Sequence, residues 1–201
     1  MPSPLLVFAV TAMTYLSPGR DHLALAQAIT SEVEAGSPLF DRDEDKTKTL
    51  STAIAVAFRE GSLLTDVVGD MRGGQPTSFC TYQINLPGGS RTANGWTGID
   101  LRDDVRKCSS VGLKMLRDSV RVCPRAPIAH YAVGGAGACT NARAVRISND
   151  RMALGYRVRA ATLRVLTEIA EVPSTSFFSP IDATSTHAKG LHAGSFRTVG
   201  G

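Results

Sequence analysis

The stretch from Leu50 to Phe58 is the most apolar helical run in this chain, and it ends in Arg59-Glu60-Gly61. A helix over about 46–60 therefore delivers one carboxylate at its C-terminus, with a glycine to stop it. At that position the negative end of the helix dipole and partial burial both disfavour the charged form. A carboxylic acid that stays protonated near neutral pH is what general-acid cleavage of a glycosidic bond requires. Arg59 is adjacent, but neighbouring helical side chains point about 100° apart, so it need not neutralise Glu60. The competing reading is a solvated glutamate at a frayed helix end.

The chain has 201 residues, 43% hydrophobic and 20% charged, which suits one globular domain over about 1–172 with its core in 20–170. Its net charge of +4 is unevenly spread. Residues 1–50 carry seven acids and four bases, whereas residues 101–170 carry thirteen bases and five acids. The basic region implies an anionic partner or a solvated arginine face. No aromatic residues interleave with these arginines, which argues against single-stranded nucleic acid, and no specific nucleic acid is expected.

Cys80, Cys108, Cys123 and Cys139 show no C-x-x-C spacing, so neither zinc nor any other metal is expected. On one straight helix over 103–123, Cys108 and Cys123 would lie about 22 Å apart, too far to bond. Any disulfides would join each of them to Cys80 or Cys139; the alternative is four free thiols. The apolar start, Pro4 to Val10, has no basic residue before it. It lacks the charged opening of a secretory signal and is too short to span a bilayer, so it reads as a core helix.

The pattern predicts helices over Pro4–Tyr15, about 21–35 and about 46–60. Residues 69–78 read as a flexible loop and Phe79–Leu86 as a short strand turned by Pro87-Gly88-Gly89. Asp103-Asp104 can cap a helix to Cys123, a short helix covers 127–133, and Ser148-Asn149-Asp150 can cap a last helix over 151–170. Residues 173–201 form a polar tail rich in Ser, Thr, Gly, Pro and His. Such a tail is expected to be disordered unless a partner pins it.

Three segments carry a resemblance. Phe58-Arg59-Glu60-Gly61-Ser62-Leu63 resembles a Glu-Ser-x-Phe segment. Cys80-Thr81-Tyr82-Gln83-Ile84 resembles Gly-Leu-Met-Gln-Ile, and Ala129-His130-Tyr131-Ala132-Val133-Gly134 resembles Ala-Tyr-Asn-Ala-Gly. In this order they look like the lysozyme-like lytic transglycosylase superfamily, which includes the soluble lytic transglycosylases and goose-type lysozymes. The likeness is to its phage or bacterial cell-wall lytic branch. Gly61, Cys80 and Ala132 depart from the usual Ser, Gly and Asn.

The resemblance implies a mainly α, lysozyme-like α+β domain with a small β-hairpin beside the cleft. It implies cleavage of peptidoglycan between N-acetylmuramic acid and N-acetylglucosamine, with a 1,6-anhydro product and no cofactor. Glu60 would be the catalytic acid and then base. Gln83 would bind sugar, Tyr131 would donate a hydrogen bond to Glu60, and Tyr82 and Ser62 are further substrate-binding candidates.

Asp70 is the acid that, by positioning a water, would turn the same fold into a hydrolytic muramidase; an Asx-turn or cap is its structural alternative. His130 is assigned to packing. Gly134 to Gly137 does not fit a phosphate loop, because no Lys-Ser/Thr follows. The partner that the resemblance implies is bacterial peptidoglycan, and the expected location is a virion or the bacterial cell envelope. A non-catalytic alternative is a virion or secretion-machine component docked to other particle or envelope proteins through the 173–201 tail.

Overall fold

A computed structural model describes residues 1–171. The polar tail assigned to 173–201 lies outside the described residues. The fold is mainly helical with one small antiparallel sheet, so it is a mainly α, α+β domain. In chain order the elements are α1 (Pro4–Leu16), α2 (Leu23–Ala35), α3 (Thr47–Gly61), β1 (Val68–Arg72), β2 (Gln75–Phe79) and β3 (Ile84–Asn85). After a single 3-10 turn at Pro87–Gly89 come α4 (Gly98–Asp103), α5 (Val105–Val122), α6 (Ala129–Val133) and α7 (Ala142–Glu171).

α3 is the centre of the molecule. Every residue from Leu50 to Ala57 is buried, and α1, α2 and α7 pack around it. A helix apolar on all sides has no solvent face to present, so it must be enclosed. Burying Leu50, Ile54 or Val56 contributes about 1.5–3 kcal/mol each. α1 opens on Ser3, whose hydroxyl accepts from the Leu6 amide, and buries Phe8, Ala9, Ala12 and Met13.

Three elements differ from the sequence expectation. Residues 69–78 are an ordered hairpin rather than a flexible loop: Arg72 pairs with Gln75 across Gly73-Gly74, both at positive φ. Such two-residue turns match the twist of the strands they join. The expected strand over 79–86 is shorter, because β2 ends at Phe79 and a tight turn at Cys80–Gln83 intervenes before β3. The last helix begins at Ala142, where the Asn141 carboxamide oxygen accepts from the Ala144 amide at 3.0 Å. Ser148, Asn149 and Asp150 therefore lie inside α7 and cap nothing.

Asp104 does cap α5, accepting from the Arg106 and Lys107 amides. The preceding helix α4, opened by a reciprocal Thr97–Asp100 capping box, has no counterpart in the sequence reading. The disulfides are Cys80–Cys108 and Cys123–Cys139, which agrees with the exclusion of a Cys108–Cys123 bridge.

Candidate functional site

Glu60 stands on the last turn of α3, and the chain leaves the helix through Ser62 in the left-handed conformation. Gly61 is required here by close approach. A Cβ on Gly61 would stand 2.7 Å from the Thr81 backbone, so only glycine lets the helix end touch the Cys80–Gln83 turn. The Thr81 hydroxyl donates to the Ala57 carbonyl across the same contact. The buried Cys80–Cys108 bridge ties the turn to α5 from the other side. The departures Gly61 and Cys80 thus both serve the junction of helix and turn.

The turn presents Gln83, at φ 46°, and its amide Nε2 donates to the Cys80 carbonyl at 3.0 Å. α6 brings Tyr131. Its backbone amide donates to the buried Ser119 hydroxyl of α5 at 2.9 Å, and the Ile128 amide donates to Ser148 of α7 at 2.9 Å. The Cys123–Cys139 bridge closes the loop that carries α6. These contacts converge Glu60, Gln83 and Tyr131 on one cavity of about 150 Å³, which Asp70, Ser78, Asn85, Met115 and Ala132 also line. A second cavity of about 350 Å³ shares Asn85, Met115, Tyr131 and Ala132 and lies beside the first, toward α6. His130 borders this second cavity beside Asp118. Hydrogen bonding from Lys114 holds Asp118 below the usual carboxylate range.

Glu60 has a partner that the sequence did not name. Arg151 of α7 donates from Nε at 2.9 Å and from Nη2 at 2.6 Å, both to Oε1. The pair is largely enclosed, with the Glu60 side chain 20% exposed and that of Arg151 13%. This guanidinium brings a positive charge to Glu60 that the sequence reading did not include, and it opposes the effect of the helix end and of burial. Both donors fall on one oxygen, leaving Oε2 without a protein hydrogen bond among the described residues. Arg59 turns away to Asp150 at 2.9 Å, as adjacent helical positions require.

Tyr131 does not donate to Glu60. Its hydroxyl donates to the Tyr82 carbonyl, locking α6 to the turn. Part of the ring reaches the cleft while the phenol end is enclosed. Burial first, and then the charges of Glu60 and Tyr82, push that phenol well above its ordinary value, with Arg151 opposing.

Tyr82 is a core residue and not a sugar contact. It is fully buried, with its ring against Gly112, where a Cβ would stand 2.5 Å away. Ser62 is exposed as the helix cap and does not line the cavity; its carbonyl accepts from Arg20 at 3.2 Å.

Asp70, at φ 49° on β1, faces the same cavity as Glu60, and its Oδ2 accepts from the Ser78 hydroxyl at 2.6 Å. A larger cavity, of about 800 Å³, lies on the other side of β2 against Thr77, Phe79, Leu86 and Gly98. Alternate residues of a strand face opposite ways, which puts Ser78 in the Glu60 cleft and Phe79 behind it. Among the described residues no carboxylate lines that rear cavity, whereas Glu60 and Asp70 both line the smaller one. Among the described residues no three His, Cys, Asp or Glu side chains gather as metal ligands.

Sequence reasoning missed Asn85, Ser78, Met115 and Arg151. Asn85 joins the cavity through its pairing with Ser78 across β2 and β3, a register that the Cys80–Gln83 turn hides from the sequence. Arg151 left no local signal, because 91 residues separate it from Glu60. Comparison with known proteins found no matching family model, no matching curated protein and no matching solved structure.

Proposed function

We propose that the chain cleaves peptidoglycan glycan strands as a lytic transglycosylase. The observation that carries this reading is the convergence of Glu60, Gln83 and Tyr131, from three separate segments, on one open cavity. In this reading Glu60 would deliver a proton from Oε2, while Arg151 holds Oε1 and fixes the carboxyl orientation. That proton passes to the glycosidic oxygen as the bond to C1 breaks, and C1 takes on oxocarbenium character. The Glu60 carboxylate then removes the proton of the muramic C6 hydroxyl. O6 bonds to C1, the 1,6-anhydro ring closes, and Glu60 is protonated again. Gln83 and Asn85 offer amides to sugar hydroxyl and N-acetyl groups. Tyr131 positions the turn that carries Gln83.

A second reading, a hydrolytic muramidase, is favoured by Asp70 in the same cavity. There Asp70, held by Ser78, would take a proton from a water attacking C1. Purified peptidoglycan mixed with the protein tests both readings together. Wild type is expected to clear the suspension, and Glu60→Gln to lose at least about a thousand-fold in rate, the scale of losing an acid catalyst. Clearing by Glu60→Gln at the wild-type rate would remove Glu60 from the reaction.

A further inference from the structure

α7 carries arginines on two faces. Arg151 and Arg159 turn toward α3, to Glu60 and to Thr47 and Asp45. Arg143, Arg146, Arg157 and Arg164 are all exposed, and none has an ion-pair partner among the described residues. At 100° per residue these four fall within an arc of about 60°, and at 1.5 Å per residue they span about 31 Å. The arc lies away from the buried positions Ala144, Ser148, Gly155 and Thr162.

The acids on the same face do not neutralise the row. Asp150 is already paired with Arg59, and Glu168 lies one turn past Arg164, where it ends the run. An unneutralised line of guanidinium groups repels itself and favours an anionic ligand.

We infer that this stripe binds a phosphodiester polymer attached to the bacterial cell wall, of the poly(alditol phosphate) kind; the inference rests on the glycan-cleaving reading. Guanidinium forks suit phosphate oxygens, which they engage with two parallel hydrogen bonds. The gaps of about 16 Å between Arg146 and Arg157 and about 10 Å between Arg157 and Arg164 suit a flexible chain that adjusts its phosphates to a straight helix. Single-stranded nucleic acid is disfavoured by the lack of a stacking residue in the row. Tyr156, the exposed aromatic of α7, points about 100° from Arg157, and Lys48 sits over its ring. Arg59, joined to the row through Asp150, is the neighbour of Glu60, so a polymer on the stripe brings its glycan strand beside the cleft.

The test measures binding of the full chain to poly(glycerol phosphate) across a salt series. The protein with Arg143, Arg146, Arg157 and Arg164 all changed to Gln is compared with wild type and with the version carrying Lys at all four. Exposed Gln and Lys are good helix residues, so all three fold. Wild type is expected to bind, the Gln protein to lose at least ten-fold at 50 mM salt with a flatter salt dependence, and the Lys protein to retain most of the affinity. Equal binding by wild type and Gln protein overturns the inference. So does tighter wild-type binding to a duplex DNA than to the polymer.

Cleavage of acid-stripped, polymer-free peptidoglycan is followed in parallel and is expected to be the same for all three. Polymer binding lost in the Gln protein, with no glycan cleavage by any of them, would support the stripe and defeat the enzymatic reading separately.

Discussion

The Tyr82 phenol is buried with no hydrogen-bond partner among the described residues. An unsatisfied buried hydroxyl costs free energy, so Tyr82→Phe is expected to be neutral or to stabilise the fold by up to about 2 kcal/mol in urea denaturation at pH 7. A clear destabilisation would show that the hydroxyl is satisfied. Burial, aided by Glu32, raises the Tyr82 phenol, and burial with Glu60 raises that of Tyr131. Both stay protonated in the native state while the unfolded chain ionises them near pH 10. Their contribution is therefore complete below about pH 10 and is lost as pH rises beyond it. Denaturation at pH 9 and pH 11 should show this loss in wild type and a smaller one in Tyr82→Phe.

In the proposed reaction Arg151 is a positioning residue. Arg151→Lys keeps the charge but loses the two-donor fork, so kcat should fall about ten-fold or more with KM little changed. A rise in KM alone would make it a substrate contact. Sequence gave the site residue Glu60 its place through a local pattern, an apolar run stopped by Gly61. It could not give Arg151, whose pairing depends on how α3 and α7 pack.

At the scale of elements, the junction of α3 with the Cys80–Gln83 turn decides the cleft. Gly61→Ser, which restores the residue usual in the family it resembles, would drive a side chain into the Thr81 backbone. It is expected to cost about 1–3 kcal/mol and to displace Gln83, lowering activity together with stability. An unchanged denaturation midpoint would mean that the turn yields easily.

Loss of the Cys80–Cys108 bridge, by changing both residues to Ala, should cost about 3–4 kcal/mol for a loop of its length. The pairing was half legible: helix geometry excluded one partner for Cys108, and proximity in the fold chose between the other two. The long helices were legible because their apolar spacing is regular over several turns, whereas the six-residue α4 was not. The β1–β2 hairpin was not, because it shows no clean apolar alternation, Val68 and Met71 being exposed, and Gly73-Gly74 reads equally well as loop or as turn. Tyr82 was misplaced for a related reason: the Cys80–Gln83 turn breaks the alternation that a strand would impose, so the faces of adjacent residues cannot be counted off.

Across the whole molecule, charge and cleft share one organisation. α7 holds Glu60 from one face through Arg151 and presents its arginine row from another. The sequence showed the basic excess of the C-terminal half, but the division of those arginines into paired and unpaired faces needed the course of a helix that starts nine residues before its expected first residue, 151. The central claim is that Glu60 cuts glycan strands as acid and then base. Mass spectrometry of the fragments from digested peptidoglycan, run beside Glu60→Gln and Asp70→Asn, tests it most directly. The account predicts 1,6-anhydromuropeptides from wild type and from Asp70→Asn, and none from Glu60→Gln. Reducing-end muropeptides that vanish in Asp70→Asn would replace the transglycosylase with the hydrolase, and no fragments from any of the three would contradict the claim altogether.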